Sequence, residues 1–306
     1  MASTSTSWWT RRRRSARVIG ESHEVKVILP GTGGPRPDPR RAATTTLIRI
    51  GNDNVLFDAG RGVVVQIVKA SIPLDRVNPV LLTHHHFDHI GDLYDVMLNS
   101  WMYGRKEALR IFGPPETRRI VNALLTQIYD KDWQWRSMGE PSFGGWKPVK
   151  AKDIEPGAVV EGGRWKATAY RVRHGDGLGF PPAFQQRWMC YGYRFEAEGK
   201  VVAISGDTVD CEGLAQLSHG ADLLVHCCYM ASAEIENEHF RHVVQHTLAA
   251  GNTVGKIAAR AGAKMLALTH HRPRRDERYL QILAEEVARD FAGRVIVGED
   301  LTEIDV

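Results

Sequence analysis

The chain has 306 residues, of which 43% are hydrophobic and 25% charged, and its formal net charge is +4. This composition is that of a globular protein with a sizeable core, so it excludes a disulfide-stapled miniprotein and a fully disordered chain. Five of the positive charges are the arginines at positions 11–14 and 17, and subtracting them from +4 leaves −1 for the rest. A near-neutral body argues against a nucleic-acid binder, which usually carries a basic patch on its folded surface.

The first twenty residues form a segment of their own, rich in Ser, Thr and Arg and without any apolar period. The sequence therefore predicts a disordered basic arm over residues 1–20 and one domain over residues 21–306. The arm is either a solvated tail or a contact for an anionic surface or partner.

The sequence predicts a cytoplasmic protein without a membrane contact. No run reaches the roughly 18 apolar residues of a transmembrane helix, and no apolar signal-peptide region follows the arginines. The four cysteines lack the C-x-x-C spacing, so we expect them to be reduced and mostly buried. They are Cys190, Cys211, Cys227 and Cys228.

Strand and helix patterns alternate from residue 25 onwards. In the first half, strands are predicted at 25–29, 46–50, 55–57, 79–83 and 110–112, and helices at 63–70, 93–102 and 116–129. In the second half, strands are predicted at 165–172, 190–195, 201–204, 223–225, 265–269 and 295–297, and helices at 213–217, 253–261 and 277–290. Two β-rich halves, each covered by helices, predict an α/β protein with a four-layer αββα sandwich.

A cluster of histidines follows the predicted strand at 79–83. It has the pattern H-x-H-x-D-H, formed by His84, His86, Asp88 and His89. Alternate residues of a strand share a face, so His84 and His86 can point at one ion, and the following turn can direct Asp88 and His89 at a second. Imidazole nitrogen and carboxylate oxygen suit Zn²⁺, and a site left partly open to water is catalytic.

Further motifs occur in a fixed order on both sides of this cluster. They are Leu-Pro-Gly-Thr-Gly-Gly at 29–34, Phe-Asp-Ala-Gly at 57–60, Ser-Gly-Asp-Thr at 205–208, Ala-Asp-Leu-Leu-Val-His at 221–226 and Leu-Thr-His at 268–270. With the histidine cluster, they resemble the metallo-β-lactamase superfamily over roughly residues 25–300, and within it the branch of ribonuclease Z and arylsulfatase-like enzymes. The resemblance implies a metal-dependent hydrolase with the metallo-β-lactamase fold.

The resemblance also implies a set of metal ligands, which we expect to hold two Zn²⁺ ions per chain, with Mn²⁺ or Fe as the other candidates. It places His84, His86 and His174 on one ion, and Asp88, His89 and His270 on the other, with Asp207 bridging them. His271 replaces His270 if the register slips by one residue. Two ions about 3.5–4 Å apart would lower the pKa of a shared water towards about 7, and Asp88 would orient the resulting hydroxide.

Four further residues are given roles with an alternative beside each. By resemblance, His246 protonates the leaving group, or it is a packed residue at a helix end. His226 is a second catalytic candidate or a core residue. Asp58 holds a metal-binding histidine by its other ring nitrogen, or it caps a turn. His85 points away from its neighbours, so it supports the site or lies on the surface.

The expected substrate is a small aromatic compound, such as an aryl sulfate or a related ester. The transfer-RNA-processing members carry an acidic residue after the histidine equivalent to His226, whereas Cys227 stands here, and no long arm for gripping RNA is visible. Seven large rings in the irregular segments 130–150 and 178–188 could form a pocket, pack on the body or mediate a homodimer contact. They are Trp133, Trp135, Phe143, Trp146, Phe180, Phe184 and Trp188.

Two other functions remain open from the sequence. One is a ribonuclease Z-like phosphodiesterase that acts on RNA or another nucleic acid and uses the basic arm as an anchor, although the residues make a nucleic-acid partner unlikely. The other is a scaffold protein without catalysis, which is disfavoured because all seven metal-ligand positions are filled.

Overall fold

A computed structural model of the chain describes residues 24–273 and 276–306. The basic arm predicted over residues 1–20 lies outside this range. Within the described range no helix has both the length and the apolar character that a membrane crossing requires.

The strands and helices of the described residues alternate along the chain. The strands are β1 (Val25–Gly31), β2 (Thr45–Ile50), β3 (Asp53–Phe57), β4 (Val77–Leu81), β5 (Leu109–Gly113), β6 (Val149–Asp153), β7 (Val159–Glu161), β8 (Trp165–Val172), β9 (Cys190–Ala197), β10 (Lys200–Ile204), β11 (Leu223–Cys227), β12 (Met265–Thr269), β13 (Arg294–Val297) and β14 (Thr302–Asp305). The helices are α1 (Val63–Lys69), α2 (Phe87–Ile90), α3 (Leu93–Met102), α4 (Thr117–Ala123), α5 (Asp130–Gly139), α6 (Pro182–Gln185), α7 (Glu212–Ser218), α8 (Glu238–His246), α9 (Gly251–Ala261) and α10 (Glu277–Ala288).

The strands form two mixed sheets of seven. The first sheet has the order β14-β1-β2-β3-β4-β5-β6, and the second has the order β13-β12-β11-β10-β9-β8-β7. Strands β3 to β6 are parallel in the first sheet, and β10 to β13 are parallel in the second. Chain segments that follow neighbouring parallel strands leave the sheet at the same edge, which is where ligands bind in such sheets.

Three apolar cores define the four layers. Between the sheets, Phe57 of β3 packs against Tyr193 and Phe195 of β9, with ring centroids 5.5 and 6.3 Å apart. A second core joins the first sheet to α1 and α3, and a third joins the second sheet to α7, α9 and α10. Each sheet is therefore apolar on both faces and covered by helices on its outer face, so the predicted αββα sandwich is confirmed.

Several elements differ from the prediction. Strands β6, β7 and β14 and helix α8 were not predicted. The predicted helix at 116–129 is α4 followed by one wider turn at Leu124–Ile128, and helix α5 lies in the segment predicted to be irregular. In the other irregular segment, α6 is a single short helix.

Candidate metal centre

The segment after β4 directs alternate histidines to the same side. The backbone is extended at His86, which precedes the short helix α2. The Nε2 atom of His84 and the Nδ1 atom of His86 lie 3.0 Å apart. His85, between them, points away, and its Nε2 lies 2.8 Å from Oγ1 of Thr117 at the start of α4. His85 therefore joins the histidine segment to a neighbouring helix.

Two residues from the second sheet complete the first group of potential ligands. His174, which follows β8, places its Nε2 3.2 Å from Nδ1 of His86. The Oδ2 atom of Asp207, which follows β10, lies 4.0 Å from Nε2 of His84 and 3.9 Å from Nε2 of His174. The potential ligand atoms of this group all lie within 4.8 Å of one another, so they could hold one metal ion.

A second group of potential ligands adjoins the first and is formed by Asp88, His89 and His270. The Oδ2 atom of Asp88 lies 3.3 Å from Nε2 of His270 and 3.7 Å from Nε2 of His89. The Oδ2 atom of Asp207 also lies 3.1 Å from Nε2 of His270 and 3.5 Å from Nε2 of His89. The Asp207 carboxylate thus stands between the two groups, as a bridging ligand must.

Several buried polar atoms of the site lack a hydrogen-bond partner in the described part of the chain and are placed where they could bind a metal ion. Oδ2 of Asp88, Nε2 of His89, Oδ1 of Asp207 and Nε2 of His270 are buried and make no hydrogen bond within the described residues. Buried polar atoms are nearly always satisfied, because leaving one without a partner costs free energy. Atoms that lie close together without hydrogen-bond geometry converge on a common point, and nitrogen and oxygen donors at such a point suit a transition metal.

The charges of the site also call for a cation. Burial by itself raises the pKa of Asp207, yet His270 and His89 hold that pKa well below its usual value. Burial opposes the protonation of His270, but Asp207 and Asp88 outweigh it and raise the pKa of His270 to about 9. The buried carboxylates therefore require positive charge close by, which either protons on the imidazoles or metal ions can supply.

A second set of contacts fixes the orientation of the imidazoles. Nδ1 of His89 donates to Oδ2 of Asp58 at 2.7 Å, and the same carboxylate accepts from the backbone N and Oγ1 of Thr83 at 2.7 and 2.8 Å. Nδ1 of His174 donates to the carbonyl of Thr247 at 2.7 Å. Asp58 therefore orients the His89 ring by its other nitrogen, as one of the two alternatives for it expected, and it also anchors Thr83. Sequence reasoning missed Thr83 and Thr247, whose only signal is that each adjoins a histidine.

The backbone is strained at two residues of the site. Asp58 has φ 63° and His270 has φ 62°, a left-handed conformation that residues other than glycine seldom adopt. The turn at His270 separates it from His271, whose Nε2 lies 3.1 Å from the buried carbonyl of Gly298. The structure thus brings His270 into the second group and leaves His271 outside it.

His246 and His226 lie outside both groups. His246 ends α8, and its Nδ1 lies 3.3 Å from the carbonyl of Asp176, two residues after His174. His226 is fully buried in β11, where its Nδ1 donates to the carbonyl of Cys227 at 2.6 Å. Burial lowers the pKa of His226 to about 4. His246 is therefore placed beside the His174 loop, whereas His226 is enclosed in the protein interior.

The seven aromatic rings do not form one pocket. Trp133, Phe143 and Trp146 pack on the first sheet's helix layer around the buried Trp101. Trp135 lies 61% exposed on α5. Trp188, in contrast, approaches the site, and its ring centroid is 4.7 Å from that of His86. Of the alternatives left open for these rings, packing on the body thus applies to Trp133, Phe143 and Trp146, whereas Trp188 lies beside the candidate ligands.

We predict that Gly60→Ala will destabilise the protein by disturbing the histidine segment. A Cβ at Gly60 would lie 2.5 Å from the backbone oxygen of Asp88 and 2.8 Å from that of Ala43, and backbone cannot move aside as a side chain can. We expect a loss of about 1–3 kcal/mol in the free energy of unfolding, measured by urea denaturation. Gly163→Ala is the control, because a Cβ there meets nothing within 4 Å. Equal stability of the two variants would contradict the prediction.

The two facing sheets and the shared-carboxylate cluster define a metal-dependent hydrolase of the αββα type. Residues 53–271 match the family described as "Beta-lactamase superfamily domain", which is more than half of the chain. The chain therefore belongs to the metallo-β-lactamase superfamily, and the family prediction made from the motifs is confirmed.

Within the superfamily, the chain is similar to proteins named ribonuclease Z and to solved structures of the same fold. The chain is 31% identical over 291 residues to the protein named ribonuclease Z of Mycobacterium bovis (strain BCG / Pasteur 1173P2), covering 92% of this chain and 98% of the relative. The solved structure of the metallo-β-lactamase fold protein YhfI from Bacillus subtilis has a TM-score of 0.72 at 21% identity and covers 93% of this chain and 100% of that one. Human tRNase Z, short form, has a TM-score of 0.63 at 21% identity, with 91% and 98% covered.

These relatives overturn the substrate prediction. A small aromatic substrate and an arylsulfatase-like activity are wrong, since the relatives carry the name ribonuclease Z, and so is the expectation that nucleic acid is an unlikely partner. The missing long arm was a poor criterion, because the mycobacterial relative is matched over 98% of its own length. Net charge was also a poor criterion, because it is a sum over the whole chain and does not show where on the surface the arginines lie.

Proposed function

We propose that the protein is a metal-dependent RNA phosphodiesterase of the ribonuclease Z type. The observation that carries the proposal is the pair of ligand groups that share Asp207, in a chain that matches a ribonuclease Z over 92% of its length. The human structural neighbour is named a tRNase, so a transfer-RNA precursor is the first substrate to test.

We propose two Zn²⁺ ions as the cofactor. His84, His86 and His174 would hold one ion, Asp88, His89 and His270 the other, and Asp207 both. Five imidazoles and two carboxylates are donors that Zn²⁺ prefers, while Mn²⁺ and Fe remain candidates that metal analysis separates. Bound at this site, the metal supplies Lewis acidity, which makes water a nucleophile at neutral pH and offsets charge on the phosphate.

The protein's own side chains supply the proton transfers. The carboxylate of Asp88 lies in the second group, 3.3 Å from Nε2 of His270, where it could accept a hydrogen bond from the attacking water and orient it. His246 is proposed to protonate the leaving oxygen, because it adjoins the His174 loop and is only half-buried. For His226 we propose a structural role, since its ring lies in the buried interior of β11.

Exposed side chains around the site suit RNA. Phe87, between His86 and Asp88 in the chain, is 58% exposed, and the guanidinium of Arg61 lies 5.9 Å from its ring centroid. Arg173 is exposed directly before His174, and Arg187 is exposed directly before Trp188. RNA is recognised through base stacking on aromatic and guanidinium planes and through charge contacts with phosphate, so a rim of this kind supports a polynucleotide substrate.

The test is cleavage of a transfer-RNA precursor transcript by the purified full chain. We expect the transcript to be cleaved into shorter products, with loss of cleavage on chelation and recovery with Zn²⁺. Metal analysis should give two equivalents per chain. Aryl sulfate serves as the negative substrate. Absence of RNA cleavage by protein that carries two metal equivalents would refute the proposal.

A further inference from the structure

We propose that Phe184 and Trp188 form a stacking platform for an unpaired nucleotide next to the cleaved bond, and that the adjoining arginine-lined groove binds the phosphates of the same strand. This inference rests on the proposed RNA phosphodiesterase function and assigns the side of the site on which the single-stranded part of the substrate lies.

The platform is a continuous strip of rings that ends at the metal centre. Phe184 and Trp188 are stacked at 5.8 Å between centroids with an interplanar angle of 13°. The backbone N of Trp188 donates to the carbonyl of Phe184 at 2.9 Å, a helical spacing that keeps the two rings on one side of the segment. Nε1 of Trp188 donates to the carbonyl of His174 at 3.0 Å, which fixes the inner ring relative to a candidate ligand.

The outer end of the strip is open to solvent. Phe184 is 41% exposed and belongs to none of the three apolar cores of the described residues. Phe180 packs edge-on against Phe184 at 5.0 Å and supports it from one side. A large ring that is held in place, yet is not needed to fill a core, has a free face on which a planar group can stack.

A groove of about 780 Å³ adjoins the segment that carries the strip, and Gln186 and Arg187, which lie between Phe184 and Trp188 in the chain, line it. Arg187 and Arg119 both pair with Glu116, at 2.6 and 2.8 Å. Arg118 is exposed, and its side chain makes no hydrogen bond or ion pair within the described parts of the chain. Three arginines against two acids, Glu116 and Asp153, leave the groove positive, and guanidinium groups suit phosphate oxygens.

Stacked rings beside a basic groove match single-stranded RNA rather than a duplex. In a duplex the bases are paired and stacked on one another, whereas an unpaired base offers its face to an aromatic side chain and its phosphate to arginine. The contribution of one stacked base corresponds to a change of roughly 5- to 150-fold in affinity. The platform therefore favours substrates that are unpaired at the cleaved bond.

The experiment combines protein variants with abasic RNA. Precursor transcripts carry one abasic nucleotide at each of the four positions around the cleaved bond in turn, and kcat/KM is measured with the metal-loaded full chain. For the unaltered protein we expect the abasic nucleotide at one of these positions to lower kcat/KM by roughly 5- to 150-fold. In Phe184→Ala that penalty should vanish, because the base has lost its stacking partner, whereas Phe184→Tyr should retain it.

The possible outcomes separate this inference from the proposed function. If the unaltered protein cleaves no RNA, both fall. If it cleaves RNA and the abasic penalty is the same in Phe184→Ala at all four positions, the platform is refuted and the function stands.

The groove has its own comparison. Arg118→Gln should reduce the salt dependence of RNA binding by about one unit of the logarithmic slope, as expected for one lost phosphate contact. Arg164→Gln is the matched control, because Arg164 is also exposed but lies before β8, at the opposite end of that strand from His174. Equal slopes for the two variants would exclude the groove from the phosphate path.

Discussion

Asp207→Ala is expected to lose RNA cleavage by more than about 100-fold and to lose bound metal. Altering a residue that merely supports a metal ligand already costs roughly 10–100-fold. Replacing Asp207 should reduce activity and metal affinity further, because Asp207 would itself be a ligand. Its Oδ2 lies within 4.0 Å of one ring nitrogen in each of four histidines, His84, His89, His174 and His270. Without this carboxylate, the two ligand groups lose the atom that they share. Metal analysis and single-turnover cleavage measure the two effects.

Asp222→Ala is the matched control for this prediction. Asp222 is another buried aspartate of the second sheet, but it precedes β11, where it accepts from the backbone N of Val201 and pairs with Lys264 at 2.7 Å. Its loss should lower stability while two equivalents of metal stay bound. If Asp207→Ala also keeps two equivalents, Asp207 does not bridge the ions and the proposed centre is wrong.

The part of the site that is local in sequence could be predicted from the residues. His84, His86, Asp88 and His89 are close in the chain, so strand alternation and one turn are enough to place their side chains. His174, Asp207 and His270 are single residues that each follow a different strand. Their convergence depends on strand order in the second sheet, which no local pattern contains, and only the family resemblance indicated them.

The missed elements bury few or none of their side chains. Helix α8 has no buried residue, and strand β6 alternates exposed lysines with half-buried residues at the edge of its sheet. Helix α5 also has no buried residue, and its exposed positions include the apolar Trp135 and Met138. Such elements are stabilised by what they pack against, and a pattern of apolar residues detects only elements that enter the core.

The proposed RNA substrate could not be predicted from the sequence, because the observations that support it are the positions of side chains in the fold and not the composition of the chain. Trp133 and Trp188 look alike in the sequence, but Trp133 packs against Trp146 in the helix layer and Trp188 lies near His86. Likewise, the net charge of the body is nearly zero, while Arg61, Arg173 and Arg187 lie exposed or half-exposed near the centre. Their location became visible only when the loops had been placed on the sheets.

His246→Ala is expected to reduce RNA cleavage by about 10²–10⁴-fold, the usual contribution of a general acid. The leaving oxygen of an RNA phosphodiester is strongly basic and must be protonated as the bond breaks. A p-nitrophenyl phosphodiester has a leaving group that departs as a stable anion, so its hydrolysis by the same variant should fall by less than about tenfold. Both substrates are measured on protein of equal metal content.

This pair of substrates distinguishes proton donation from packing. His246 lies against Gly177 and its carbonyl accepts from the backbone N of Gly175 at 2.7 Å, so the loss of the ring could also shift the His174 loop. A shifted loop would weaken the metal centre and slow both substrates alike. His242→Ala is the matched control, because His242 lies one turn earlier on α8 with its ring 4.8 Å from that of His246. A parallel fall of both substrates in His246→Ala would show that the histidine positions the loop and that another group protonates the leaving oxygen.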